Sequence, residues 1–413
     1  MKNKIVTLLA LITTAICIGS VSARANQTQP GLSPFTTNPA NLSDLERLGK
    51  DIFEDASLSE PPGVACISCH KPETAFQSNN NSPIRAVAQG SRHGHFGKRN
   101  VPTIAYAVFS PLFGFGTEKN EGGEIEHPPS GGQFLDGRAA DLSAQVEGPL
   151  LDADEMNNPS KAAVVNKVRQ RPYAQQVRTL FGDKVFDDPN NAFTKIASSV
   201  AAFESTRAFH PFSSKFDAVL RGKAAFTATE KKGFALFKNP QKGNCIACHV
   251  GKEDSKNPSD WLFTDFTYDT VGVPRNPTIP YNADHGYYDL GLCRQTGIEQ
   301  KAPAGVDTQT MCGAFKVPTL RNVALTAPYM HNGAFDSLRQ VVSFYATRDT
   351  SPEAWYPKNP DGSVDKFDDL PKQFRTNVNT SEAPYDRKVG ETPRLNDDEI
   401  DAIVAFLKTL TDE

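Results

Sequence analysis

The chain has 413 residues, 38% hydrophobic and 22% charged, which fits a globular protein of two or three domains. A formal charge of −4 supplies no bulk basic field, so a nucleic-acid partner is not expected. The 29 Gly and 30 Pro point to long, shaped loops rather than continuous helix.

Lys2 and Lys4 form a basic start, residues 5–18 an apolar stretch, and Val21-Ser22-Ala23 a small-residue cleavage site. Residues 1–23 therefore read as a secretory signal peptide, with Ala23-Arg24-Ala25 as a second candidate site. The apolar run is short for a membrane span, and no later stretch is apolar enough to cross a bilayer. Cys17 follows Ile16, which is too large for a lipoprotein cleavage site. The mature chain is expected in the periplasm without stable membrane insertion.

A capping box, Ser43…Glu46, precedes Leu48-Gly49-Lys50-Asp51-Ile52-Phe53 and predicts a short helix. That helix leads into Cys66-Ile67-Ser68-Cys69-His70. A Cys-x-x-Cys-His pentad reads as a c-type haem attachment site. The thiols add across the haem vinyl groups, and the His supplies the proximal iron ligand. Residues 160–181 predict two helices broken at Pro172, and residues 193–207 a helix with Ile196, Val200 and Phe203 on its core face.

The pattern then repeats. Thr227…Glu230 is a second capping box, ahead of Gly233-Phe234-Ala235-Leu236-Phe237 and a second pentad, Cys245-Ile246-Ala247-Cys248-His249. Residues 251–325 and 348–394 read as long loops rich in Pro, Asn, Asp and Gly. A third box, Asn396…Glu399, opens a closing helix over residues 396–410, with Ile400, Ile403, Val404 and Leu407 on one face. The expected fold is mainly α, with two cytochrome c-like domains, residues 24–215 and 216–413, each holding one covalent haem.

Outside the signal and the pentads, Cys293 and Cys312 remain. They can pair in an oxidising compartment or stay as inert thiols. Zinc binding by the pentad thiols is not expected, because the two pairs lie far apart and each is followed at once by His.

Four further segments carry a resemblance. They are Lys98-Arg99-Asn100-Val101-Pro102-Thr103; Phe134-Leu135-Asp136-Gly137-Arg138-Ala139, running on through Gln145, Pro149, Glu155 and Met156; Pro318-Thr319-Leu320-Arg321-Asn322 with Thr326 to Gly333; and Val341-Val342-Ser343-Phe344-Tyr345. With the pentads, they make the chain resemble the bacterial dihaem cytochrome c peroxidase and MauG family over nearly all of its mature length. The resemblance implies a peroxide-reactive first haem on Cys66, Cys69 and His70. Glu155 and Gln145 match the distal pair, and Pro149 the pocket wall. It implies a second, electron-transfer haem on Cys245, Cys248 and His249. It also implies a calcium ion between the haems, held by the Asn100 side chain and the carbonyls of Thr326 and Pro328. Calcium prefers such oxygen donors. A carboxylate such as Glu155 can take a proton from one peroxide oxygen and return it to the other.

The resemblance also sets expectations about the second haem. Its sixth ligand is a Met in the peroxidases and a Tyr in MauG-like members. The matching position here is Tyr345; the other reading makes Tyr345 a packed helix aromatic and Met330 the ligand. A phenolate oxygen favours oxidised iron and lowers the potential, whereas Met does the opposite. Leu135 stands where the family has a Trp between the haems, which puts fast charge sharing in doubt. Phe134 or a through-bond route could substitute, since Trp261 and Trp355 lie in loop-rich stretches. Arg92 occupies the position of a resting-state distal His, with His93 and His95 nearby, so the first haem is expected to be open or openable. His127, His210 and His285 read as surface or core residues, and His331 as a residue that shapes the pocket.

Three functions follow. The first is a periplasmic peroxidase that reduces hydrogen peroxide to water at the first haem. Its electrons would come from a small cytochrome c or cupredoxin through the second haem. The second is a MauG-like oxidase acting on a side chain of a partner protein. The third is a non-catalytic dihaem electron carrier. The resemblance is also compatible with a homodimer.

Overall fold

The computed structural model describes residues 34–119 and 123–413; the expected signal peptide, residues 1–23, lies outside them. Among the described residues, no helix is long and apolar enough to cross a membrane. The helices, in chain order, begin with α1 (Asp44–Phe53), α2 (Cys66–Cys69), α3 (Leu142–Leu151), α4 (Lys161–Val168), α5 (Ala174–Phe181) and α6 (Pro189–Glu204). They continue with α7 (Lys215–Leu220), α8 (Ala228–Lys238), α9 (Ile298–Lys301), α10 (Leu338–Thr347) and α11 (Asp397–Lys408). The three capping boxes form as expected at Ser43, Thr227 and Asn396. The break at Pro172 also falls where the sequence puts it, between α4 and α5. α6 starts earlier than its apolar stripe predicts, because the Asp188 carboxylate accepts from the Asn190 and Asn191 amides and Pro189 suits the first turn.

Strands are few and short. β1 (Gly114–Phe115) pairs antiparallel with β4 (Pro129–Ser130), and β2 (Glu118–Lys119) with β3 (Ile125–Glu126), within one excursion between the first pentad and α3. β5 (Tyr268–Asp269) pairs with β6 (Phe315–Lys316). Cys293 and Cys312 form a disulfide inside the long loop region that these two strands bracket.

Two large apolar cores organise the helices. One gathers buried residues from Phe35 to Phe212, the other from Phe216 to Leu410. Each is built on a helix crossing that only glycine allows. In the first, α1 packs on α6, and a Cβ at Gly49 would overlap the Ser199 carbonyl oxygen. In the second, α8 packs on α11, and a Cβ at Gly233 would overlap the Ala402 carbonyl oxygen. Backbone meets backbone, so neither neighbour can swing aside. The loose sequence repeat before the two pentads is thus a repeat of one packing solution.

A polar knot joins the chain at the transition between the cores. The fully buried Arg321 guanidinium donates to both Asp217 carboxylate oxygens, at 3.0 and 2.9 Å. Its carbon lies 4.6 Å from the Phe212 ring centre. Asp412 accepts from the Tyr106 hydroxyl, the Ser213 amide and the Asn322 side chain. Breaking such a pair by removing one partner leaves an uncompensated buried charge.

Gly49→Ala and Gly233→Ala should each destabilise the folded chain by roughly 1–3 kcal/mol through overpacking. Thermal unfolding of the two variants checks this. A melting temperature unchanged in either would show that the crossing tolerates a methyl group.

Candidate functional site

The two pentads open onto two cavities. Cys66, Cys69 and His70 line one of about 350 Å³; Cys245, Cys248 and His249 line another of about 340 Å³. All four pentad thiols are free. Burial pushes them up, to about 12 for Cys69, Cys245 and Cys248, so they stay as thiols at neutral pH.

Each proximal imidazole is fixed by its backbone surroundings. His70 Nδ1 lies 2.8 Å from the Phe76 carbonyl, and His249 Nδ1 lies 2.9 Å from the Phe263 carbonyl. A carbonyl only accepts, so Nδ1 carries the proton and Nε2 is left with its lone pair. Burial holds both rings below their ordinary pKa, which favours the neutral, ligating form. Both accepting residues are left-handed phenylalanines, Phe76 at φ 58° and Phe263 at φ 55°. Paired free thiols, an oriented imidazole and an adjacent cavity suit a covalent haem at each pentad.

Around the first cavity, α3 is capped by Asp141 and presents Gln145 and Pro149 one turn apart, and both line the cavity. Glu155 lines it too. The Glu155 carboxyl is raised to about 7, first by burial and then by Asp152, against the lowering pull of Arg138. Its backbone is pinned by the loop that carries His93 and His95. The Ser91 amide donates to the Glu155 carbonyl at 2.7 Å, and a Cβ at Gly90 would overlap the Asp154 carbonyl. His95 is drawn to Asp154, at 3.2 Å, and His93 is exposed. Neither histidine lines the cavity. In this structure the loop's histidines are turned away; its Gly97 lines the cavity, and its Ser91 amide holds Glu155.

Around the second cavity stand Tyr345 on α10, Met330 and Tyr385. Both readings of the sixth ligand therefore have their side chain on the cavity. Burial pushes the Tyr345 phenol above its ordinary value, as do Asp269 and the pentad thiols, while Arg348 pulls it down. Leu135 lies in the wall that faces both cavities, together with Phe134, Gln145 and Asn100. The Phe134 ring is clamped by Arg138, whose guanidinium carbon lies 3.5 Å from the ring centre. Trp261 and Trp355 line neither cavity.

The residues expected to hold calcium are partly brought together. The Asn100 side-chain amide donates to the Pro328 carbonyl at 2.6 Å and to the Met330 carbonyl at 3.2 Å. Gln77 donates to the same Asn100 and Pro328 oxygens, at 3.3 and 3.2 Å. Thr326 lines the neighbouring cavity without a contact to Asn100. Among the described residues no cluster of three or more His, Cys, Asp or Glu forms a metal site. The Asn100 and Pro328 oxygens that meet here are neutral. His331 stacks on Phe315 with ring centres 3.8 Å apart and lies 3.3 Å from Asp369, so it shapes the wall, as the sequence suggests.

Sequence reasoning missed several cavity groups. Glu204, at the end of α6, is buried on the first cavity with Oε2 unpaired, and burial raises it to about 8. Arg99 is gripped by Asp289 and Asp136. Behind the second cavity rather than on it, Arg348 is fully buried and bound to Asp349 and to the Val271 and Asn379 carbonyls, with its guanidinium against the Tyr385 ring. Only Arg99 and Asp136 lay inside segments that the resemblance had marked.

With Glu155 near 7, its carboxylate fraction falls as pH drops. Any step in which it takes a proton should slow below about pH 7. The peroxide reaction of the haem-loaded protein, followed spectroscopically against pH, should show this acidic limb. Glu155→Gln should lose both the limb and roughly 10²–10⁴-fold of the rate. An unaltered profile in Glu155→Gln would remove Glu155 from the reaction.

The chain has clear relatives. A family model described as di-haem cytochrome c peroxidase matches residues 43–225. Methylamine utilization protein MauG of Paracoccus denitrificans is 36% identical over 377 residues, 89% of this chain and 88% of that protein. Cytochrome c551 peroxidase of Nitrosomonas europaea is 28% identical over 339 residues, 82% of each chain. The crystal structure of the diheme peroxidase BthA from Burkholderia thailandensis is similar at a TM-score of 0.82 and 39% identity, over 91% of this chain and 89% of that one.

Proposed function

This chain belongs to the di-haem cytochrome c peroxidase and MauG family, a family of peroxidase oxidoreductases, and from that premise we propose that it reduces hydrogen peroxide to water at its first haem site. Electrons would reach that site through the second. The observation that carries this reading is the first cavity, where Glu155, Gln145 and Pro149 converge beside the Cys66–His70 pentad and no histidine of the 91–97 loop enters. When bound, the haem supplies an iron that accepts peroxide and exchanges electrons. Overall, one peroxide, two electrons and two protons give two waters.

The chain's residues handle position and protons. His70 and His249 would be the proximal ligands, held in one tautomer by the Phe76 and Phe263 carbonyls. Gln145 would orient peroxide through its amide. Glu155 would take the proton from one peroxide oxygen and return it to the other, a role suited to a carboxyl near 7. Tyr345 would be the sixth ligand of the second haem. A buried phenolate needs positive charge nearby, and the iron together with Arg348 would provide it. Asn100, Thr326 and Pro328 would hold calcium after the Asn100 amide turns its oxygen inward. The haem domains would divide near residue 215, where one apolar core gives way to the other. Export to the periplasm, with cleavage after Ala23, fits haem attachment outside the cytoplasm; N-terminal sequencing of the mature protein should begin at Arg24.

A second reading rests on Tyr345 and on the MauG relative: peroxide-dependent oxidation of a side chain on a partner protein. Membership in a family of enzymes weighs against a non-catalytic carrier.

One experiment separates these readings. Peroxide is added to the haem-loaded protein with and without a reduced small cytochrome c, before and after chelation of calcium. The peroxidase reading predicts rapid, stoichiometric cytochrome oxidation that falls on chelation and returns with added calcium. A peroxide-oxidised state that persists in the presence of reduced cytochrome contradicts it and favours the second reading. Indifference to chelation contradicts the calcium site.

A further inference from the structure

Two phenols share the second cavity. Tyr345 and Tyr385 both line it, and their ring centres are 5.6 Å apart at an interplanar angle of 54°. Among the described residues, neither hydroxyl has a hydrogen-bond partner, although the surroundings are rich in polar groups. The nearby carboxylates are occupied. Asp269 accepts from the Thr270 amide and the Asn379 side chain, and Glu382 also accepts from Asn379. The Tyr385 hydroxyl is therefore free to donate to a group brought into the cavity.

The Tyr385 ring is held from behind. The Arg348 guanidinium carbon lies 4.3 Å from its centre, and Arg348 is itself fixed by Asp349 and by two backbone carbonyls. A cation over the ring anchors it and polarises its O–H toward donation.

We propose that Tyr385 is a positioning residue for the second haem: its hydroxyl donates a hydrogen bond to the phenolic oxygen of Tyr345 when that oxygen ligates iron. The inference rests on the reading of Tyr345 as the sixth ligand. A donor on a ligand oxygen draws electron density from it, weakens its hold on oxidised iron and raises the potential. Tyr385 would thus temper the strongly reducing-state-averse character that an unassisted phenolate gives. It would let the second haem accept electrons at a less negative potential than Tyr ligation alone allows.

The test uses the haem-loaded full chain with Tyr385→Phe, which keeps the ring against Arg348 and removes only the hydroxyl. The phenolate-to-iron absorption band should move to longer wavelength, and the midpoint potential of the second haem should fall. An unchanged band and potential overturn the proposal. Tyr385→His, which retains a ring donor, should restore the band toward its original position; a band that stays at the Phe variant's position overturns it as well. Tyr345→Phe separates the underlying reading, because it should abolish the band. If Tyr345→Phe leaves the band in place, Tyr345 is not the ligand. If Tyr385→Phe alone abolishes it, Tyr385 is the ligand and both assignments fall.

Discussion

Each half of the molecule depends on one hydrogen bond, from a histidine Nδ1–H to the carbonyl of a left-handed phenylalanine. The left-handed turn is unfavourable for a bulky residue and persists only where its surroundings over-determine it. The surroundings do so here. Phe76 stacks on Phe209 with ring centres 4.1 Å apart, and Phe263 sits fully buried 5.0 Å from Phe216. The apolar core holds the ring, the ring fixes the carbonyl, and the carbonyl fixes the tautomer and direction of the imidazole. The haem-binding geometry is thus continuous with the packing of the core, which rests on the glycine crossings at Gly49 and Gly233.

From that shared device the two sites diverge. The first cavity is walled by α3, where Gln145 and Pro149 share a face, and by Glu155, pinned through its backbone by the 90–91 loop. Its groups suit proton movement. The second is walled by α10 and the 382–385 segment, where Tyr345 packs beside Tyr385 and the buried Arg348 lies against the Tyr385 ring. Its groups suit the tuning of a metal's charge. Leu135 stands between the two without an aromatic ring, while Phe134 beside it is clamped by Arg138. Among the described residues, the aromatic side chain that lines both cavities is Phe134, and no tryptophan lines either.

Local chemistry was legible in the sequence. The pentads, the three capping boxes and the break at Pro172 are patterns over a few residues, and the structure repeats them. The family segments led to Gln145, Pro149, Glu155 and Tyr345, all of which line a cavity. What stayed hidden depends on partners far apart in the chain. Nothing near Asp217 announces Arg321, and nothing near Tyr345 announces Tyr385. Glu204 belongs to no motif, and only its burial on the first cavity shows that it is a cavity acid. His93 and His95 are near in sequence to the site, but the loop turns both away from the cavity, and its Ser91 amide donates to the Glu155 carbonyl. Left-handed phenylalanines are invisible to any pattern rule, since sequence alone would assign such turns to Gly or Asn.

The central claim is that two near-identical attachment motifs hold haems with unlike coordination: an open first site under Glu155 and a closed, tyrosine-ligated second site. Electron paramagnetic resonance of the resting oxidised protein tests this most directly. The account predicts one high-spin signal from a haem with an exchangeable sixth position and one low-spin signal from a histidine–tyrosinate haem. Two low-spin signals, or a low-spin signal of histidine–methionine type, would contradict it.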